Sequence, residues 1–339
     1  MIFEYSDGSA PEDKKSLGDS ELYISLSTGE QRVFYLLNII FQIEARRRKS
    51  TIQLVIVDDI ADSFDYKNKY AIIEYLKDVL EENNFRLIIL THNFDFYKTV
   101  KGRFGGKMNY QGNWTAIKKV DGIELTVGEK KNVFDSLRSD LHTCNIIFVA
   151  CIPFVRNLIE YSIGKENDSY YTLTSLLHMK SENIEKGICS TKNLEVQQVF
   201  DVFNTVFGKS NTTTTPNKKV YELIIEKSEE IISKPADYSL NIKNKLCLSL
   251  AIRLIAEEYM ISKITDLIFH EHIQTKQTGK ITSEFKKEHP SATKEIAVLE
   301  RVNLMTAENI HINSFMYEPL MDLTEDHLRR LFVDIKKLS

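Results

Sequence analysis

Two apolar runs, each ending in polar side chains, constrain this fold more than any other feature. The first run, Leu54–Val57, is followed by Asp58 and Asp59, and the second, Leu87–Leu90, is followed by Thr91-His92-Asn93. Short apolar runs rich in branched residues are typical of buried parallel strands. Open α/β sheets bind ligands at the carboxyl ends of their strands. The pattern therefore predicts an α/β domain whose sheet edge carries Asp58, Asp59 and His92.

Helices are predicted around these strands. The segment Leu26-Ser-Thr-Gly-Glu-Gln31 precedes an apolar helix predicted over residues 31–45, and a second, amphipathic helix is predicted over 70–82. The first of these helices is expected to open at about Glu30. A helix N-terminus presents free backbone N–H groups and partial positive charge, which suits a phosphate group.

The strand signals largely stop after a hairpin predicted around Asp121-Gly122. We predict a first domain over residues 1–130 and a mainly α-helical second domain over 131–339. The polar stretches 208–219 and 275–291 are predicted to be loops. Helices are predicted near 131–150, 153–163, 170–179, 194–207, 218–233, 240–272, 294–304 and 324–337.

Four motifs follow one another in the first domain: Leu26–Gln31, Leu54–Asp59, Ala61–Asp65 and Leu87–Asn93. In this order they resemble the C-terminal half of an ABC-type ATPase head of the SMC-like kind, within the AAA family. The resemblance implies the C-terminal lobe of a P-loop NTPase, with ATP and Mg²⁺ as ligands.

The resemblance also implies roles for single residues. Asp58 would contact Mg²⁺, Asp59 would polarise the attacking water and His92 would read the γ-phosphate. Ser27, Gly29 and Gln31 match the signature loop, which caps nucleotide held by another head. Ser63 and Asp65 match the loop that crosses the dimer interface, so a head-to-head dimer or higher oligomer is implied.

The phosphate-cradling loop of such ATPases, G-x-x-x-x-G-K-[ST], is absent from all 339 residues. We expect the chain to be a C-terminal fragment, a split-gene product or a lobe that works with a second polypeptide. Its partner would be a lobe carrying this Walker A loop, with which it would form a composite ATP site.

Arg156 and Glu160 lie four residues apart in the second domain, and therefore on one helix face. This segment resembles the one that follows the ATPase in bacterial anticodon-nuclease ATPases and related phage-defence proteins. The resemblance implies a HEPN-like nuclease with Arg156 as phosphate clamp, Glu160 as proton-exchanging or orienting group and His311 as general acid/base.

A structural interpretation of these residues stands beside the catalytic one. Arg and Glu at this spacing commonly form a helix ion pair, and Arg253 with Glu257 repeats it. His178 competes with His311 for the catalytic role. A helical domain that only binds a partner is therefore the alternative.

Two biological outputs remain open from the sequence. One is an antiviral effector whose ATP state licenses RNA cleavage, and the other is a DNA-repair or DNA-sensing ATPase without nuclease activity. The net charge of −4 means that the chain as a whole has no excess of positive charge that would indicate nucleic-acid binding. Four cysteines without C-x-x-C spacing and an acidic, polar start predict a cytoplasmic protein, and a membrane transporter is not expected.

Overall fold

The computed structural model forms two compact units, Met1–Gly112 and Asn113–Ser339. The predicted boundary near residue 130 stays a prediction, and the hairpin assigned to the first domain lies in the second compact unit. The structure describes residues 4–5, 15–16, 26–49, 51–60, 66–105, 112–118, 122–127, 140–182, 189–208, 213, 215–236, 241–273, 277–311 and 324–338.

The first unit contains a parallel strand–helix–strand arrangement. Strand β3 pairs with β4 in parallel, with Gln53 opposite Phe85 and Asp58 opposite Leu90. The two predicted apolar runs are therefore neighbouring strands. Its elements are β1 (Glu4–Tyr5), β2 (Lys15–Ser16), α1 (Thr28–Arg46), β3 (Gln53–Asp58), α2 (Tyr66–Glu81), β4 (Phe85–Leu90) and α3 (Phe94–Phe104).

One face of the β3–β4 pair packs against helices. Val57, Leu87 and Ile89 contact a cluster from α2 and α3 that includes Leu76 and Phe96. Successive side chains of a strand point to opposite sides, so the remaining residues of β3 and β4 form a second face. This second face is solvent-exposed. It carries Leu54, Ile56, Ile88 and Leu90, which are 57%, 59%, 44% and 49% exposed.

The second unit joins a hairpin to a helical bundle. Strands β5 (Trp114–Lys118) and β6 (Ile123–Val127) pair antiparallel, as the Asp121-Gly122 signal predicts. The helices that follow are α4 (Asn145–Ser162), α5 (Asp168–Thr174), α6 (Val196–Phe207), α7 (Val220–Ser233), α8 (Ile242–Lys263), α9 (Leu267–Glu271), α10 (Thr278–Glu288), α11 (Thr293–His311) and α12 (Glu325–Lys336).

Helix α8 lies at the centre of this bundle. It packs against α4, α7, α10, α11 and α12. Most of its residues are buried, on all sides of the helix, as expected for a helix surrounded by others. Within the described ranges, no helix is long and apolar enough to cross a membrane.

Three sequence-based expectations about helices need correction. Pro153 does not separate two helices but lies inside α4, with buried residues on both sides of it. The segment predicted as a loop over 275–291 contains α10, which buries Ile281 and Phe285 one turn apart. The long helix predicted over 240–272 ends at Lys263, and Asp266 caps a separate helix α9.

Aromatic stacking in the bundle core gives a stability prediction. Phe148 is fully buried and stacks on Phe200 with ring centroids 4.7 Å apart. We expect Phe148→Ala to lower the free energy of unfolding by about 3–5 kcal/mol, because it removes buried area and leaves a cavity. Denaturant unfolding followed by circular dichroism measures it. Tyr161→Ala, at a side chain 72% exposed on the same helix, is the control and should change little.

Candidate active site at the sheet edge

The structure brings Asp59 and His92 together at the carboxyl ends of β3 and β4. The Asp59 backbone N–H donates to the Leu90 carbonyl oxygen at 2.9 Å, which continues the strand pairing by one residue. The Asp59 carboxylate Oδ2 accepts from His92 Nδ1 at 2.7 Å. Asp58 ends β3 beside them. Two acids and a histidine therefore lie at one sheet edge, as the apolar runs predict.

Asp59 has two features that an ordinary turn residue lacks. Its backbone has φ of 50°, and it is the non-glycine residue with positive φ in the described part of the chain. Backbone strain of this kind costs about 1–3 kcal/mol and clusters at functional sites. Its other carboxylate oxygen, Oδ1, is buried and accepts no hydrogen bond from the residues that the structure describes. A buried acceptor of this kind suits a water, a donor or a cation.

The turn that carries His92 is fixed by its neighbours. Asn93 Oδ1 accepts from the Phe96 backbone N–H at 2.8 Å and caps α3. The Asn93 N–H donates to Thr91 Oγ1 at 3.1 Å. Helix α3 was not predicted, although Asn93 just after a strand is a recognisable helix-capping signal.

The N-terminus of α1 carries the predicted phosphate-capping residues. Ser27 caps the helix, and Gly29 lies in its first turn. Ser27 Oγ and its backbone N–H both donate to the Glu30 carboxylate, at 2.7 Å and 2.8 Å, and these bonds lower the pKa of Glu30. Gln31 Nε2 donates to the Leu26 carbonyl oxygen. A phosphate arriving here would compete with the Glu30 carboxylate.

Magnesium ligation fits the residues at the sheet edge. Mg²⁺ prefers oxygen ligands and commonly takes one or two carboxylates, with waters and substrate phosphates completing its shell. Asp58, which ends β3, offers such a carboxylate and could hold the ion. Among the described residues, no group of three or more His, Cys, Asp or Glu side chains could hold a metal. Ser63 and Asp65, predicted at a dimer interface, lie outside the described residues.

A family comparison covers this part of the chain. Residues 17–143 match a protein-family model described as an AAA domain. This part of the chain is similar to AAA-family ATPase domains. The matched residues include the N-terminus of α1 and the sheet edge that carries Asp58, Asp59 and His92. The match supports a nucleotide-binding, ATPase-like domain. No curated protein and no solved structure matches the chain.

The predicted Arg156–Glu160 pair of the second unit forms inside α4. Arg156 Nη1 donates to Glu160 Oε2 at 2.6 Å and to Asn157 Oδ1 at 2.8 Å. Its guanidinium also contacts the Tyr170 hydroxyl and lies over the Tyr170 ring, 4.4 Å from the centroid. Arg156 is buried, so these partners hold it in place. Its role as a phosphate clamp stays a prediction.

His311 is the last residue of α11, and its side chain lies outside the described residues. Its predicted pairing with Arg156 therefore stays a prediction as well. The structure instead joins His178 to Glu257: His178 Nδ1 donates to Glu257 Oε1 at 2.7 Å, and both side chains are buried. The sequence gives His178 as an alternative to His311, without indicating Glu257 as its partner.

Glu257 is held by three donors. Besides His178, the Met179 backbone N–H donates at 2.6 Å and Thr278 Oγ1 donates at 2.6 Å. Burial raises the pKa of Glu257, but His178, Thr278 and Arg253 together hold it below its ordinary value. Burial lowers the pKa of His178 despite the nearby carboxylate. The pair is therefore a neutral imidazole donating to an ionised carboxylate.

This pair predicts how stability depends on pH. Because the pKa of folded His178 lies below its unfolded value of about 6.5, the unfolded chain binds the proton first as pH falls. We expect the free energy of unfolding to decrease from about pH 6.5 downward, by at most about 1.4 kcal/mol per pH unit from this group. His178→Gln should flatten that decrease in denaturant unfolding curves at pH 7, 6 and 5. The same substitution at exposed His327 is the control and should leave the slope unchanged.

Proposed function

We propose that this chain supplies the acid-and-histidine half of a magnesium-dependent ATPase site. Its second half, a lobe with the Walker A phosphate loop, is provided by another part of the assembled protein. ATP and Mg²⁺ are the ligands of the composite site. The observation that carries this proposal is the Asp59–His92 pair at the sheet edge, with Asp59 Oδ1 left without a partner.

The chemistry follows from the geometry of this edge. Phosphoryl transfer to water needs an ordered nucleophile and neutralisation of phosphate charge. Asp58 would hold Mg²⁺, which would neutralise phosphate charge when bound. Asp59 accepts a proton or hydrogen bond from the attacking water through Oδ1, because Oδ2 is engaged by His92. His92 thereby orients the base, and we propose that it also contacts the γ-phosphate.

The need for a second lobe has two supports. No residue segment of the 339 has the phosphate-loop pattern. The β3–β4 pair also leaves Leu54, Ile56, Ile88 and Leu90 exposed, although parallel strands occur almost only with both faces covered. We propose that the Walker A lobe covers this face. Ser27, Gly29 and Gln31 then cap the nucleotide of a neighbouring head, with Ser63 and Asp65 between the two heads.

Substitution of Asp59 tests the proposal. We expect Asp59→Asn to lower ATP turnover at least about 100-fold in the mixture of this chain with a Walker A lobe, since the base is lost. Asn tolerates positive φ, so the fold should persist. Turnover is measured by phosphate release with Mg²⁺ present. Asp78→Asn, at an exposed acid on α2 of the same unit, is the matched control and should retain activity.

Two results would contradict it. Tight ATP binding by the isolated chain would remove the need for a second lobe. Equal turnover by wild type and Asp59→Asn would exclude Asp59 as the base.

We further propose that the ATP state controls an antiviral effector, with RNA cleavage in the helical unit. The Arg156–Glu160 pair is the basis for this assignment. The alternative is a DNA-repair or DNA-sensing ATPase whose helical unit only binds a partner. That alternative rests on the partners of the Arg156 guanidinium, Asn157 and Tyr170, which give this arginine a structural role. Transfer-RNA fragments on induction would support the effector, and DNA-stimulated turnover without RNA damage would support the alternative.

Arg156→Ala separates these functions. If Arg156 clamps phosphate, RNA fragments should disappear on induction of the assembled complex while ATP turnover is retained. The variant should also unfold more easily, by about 1–3 kcal/mol, because buried partners lose their donor. Its amount and melting temperature are therefore measured beside the exposed control Arg301→Ala. Unchanged RNA cleavage by folded Arg156→Ala would remove this pair as the nuclease centre.

A further inference from the structure

A stripe of buried polar residues runs along one face of α8, the central helix of the bundle. Ser249, Arg253 and Glu257 follow one another at four-residue spacing and so share one helix face. All three are at most 1% exposed. Neither the ATPase site of the first unit nor the Arg156–Glu160 pair uses them.

Some hydrogen-bond donors of this stripe have no acceptor among the described residues. Arg253 Nη2 donates to the Thr306 carbonyl oxygen on α11 at 2.6 Å. Within the described part of the chain, Arg253 Nε and Nη1 have no hydrogen-bond partner, and neither has Ser249 Oγ one turn away. Unsatisfied buried donors are rare in folded proteins, and each calls for an explanation such as a bound ion or water.

The charges nearby are also unbalanced. Glu257 is the carboxylate beside Arg253, but its oxygens accept from His178, Met179 and Thr278. Lys180 adds a second cation that acts on His178 and Glu257, while His178 is neutral. Among the side chains that the structure describes around this group, Glu257 is thus one carboxylate beside two cations, Arg253 and Lys180. Burial lowers the pKa of Arg253 to about 10, although Glu257 acts to raise it.

We propose that a phosphate-class oxyanion binds inside the helical unit against Arg253 and Ser249. A tetrahedral oxyanion offers several acceptor oxygens and can satisfy both free guanidinium nitrogens and the serine hydroxyl together. Guanidinium donors match phosphate oxygens well. The negative charge also balances the excess cation, which a buried water could not do.

The binding mode follows from burial. Because Arg253 is 1% exposed, the anion enters through local opening of the bundle rather than through an open cleft. Lys180 lies partly exposed beside the buried group and provides a cation nearer to solvent. Exchange with bulk solution is therefore slow, and samples need incubation before measurement.

The test is thermal unfolding of the whole chain in sodium phosphate and in sodium chloride of equal ionic strength. The wild type should show a saturable rise in Tm specific to phosphate, on the order of 5 °C. Arg253→Met should lose this rise, and Ser249→Ala should reach it only at higher phosphate concentration. Arg301→Met, at an exposed arginine of the same unit, should behave as wild type.

Hydrogen exchange identifies the place of binding. Phosphate should slow exchange of amides near Ser249–Glu257 and Thr306, and this readout holds even if Arg253→Met fails to fold. Equal Tm in phosphate and chloride, or protection confined to the first unit, would overturn the proposal. Adenosine monophosphate as a second probe distinguishes the sources of the anion. If both probes slow hydrogen exchange at these amides, the site accepts the phosphate of a nucleotide. If only inorganic phosphate slows it, the ligand is the free ion.

Discussion

The parallel pairing of β3 with β4 is the interaction on which the candidate active site depends. Its register sets Asp58 opposite Leu90, and the added bond from Asp59 N–H to the Leu90 carbonyl extends the pairing past the strand end. That extension brings the Asp59 carboxylate within 2.7 Å of His92. A shift of one residue would turn every side chain to the opposite face and separate the two groups.

The sequence predicts this edge well because strand signals and site signals coincide. Leu54–Val57 and Leu87–Leu90 indicate two strands, and polar residues follow each directly. The expectation that both strands are buried is wrong for one face of the pair, which is exposed. The positive φ of Asp59 could not be read from the sequence, since Asp59 contacts Leu90 and His92, which lie about thirty residues further along the chain. Helix α10 was missed for another reason: its polar composition hides Ile281 and Phe285, which only the bundle buries.

The helical unit shows where sequence spacing stops being informative. Arg156–Glu160 and Arg253–Glu257 have the same spacing, yet their surroundings differ. The first arginine bonds its own glutamate and has further partners, whereas the second bonds a backbone carbonyl and keeps unused donors. The difference arises from α5, α10 and α11, whose residues reach each pair from distant parts of the sequence. Spacing alone places a pair on a helix face, and tertiary packing decides its chemistry.

The N-terminus of α1 has a consequence for how nucleotide could act on this chain. The Ser27–Glu30 capping box satisfies the first turn from within the chain, so the helix begins at Thr28 without a ligand. The Glu30 carboxylate also stabilises the positive end of the helix dipole. If the proposed phosphate contact forms at this end, the phosphate meets a helix that is already formed. It then competes with the Glu30 carboxylate for the positive end of the helix dipole.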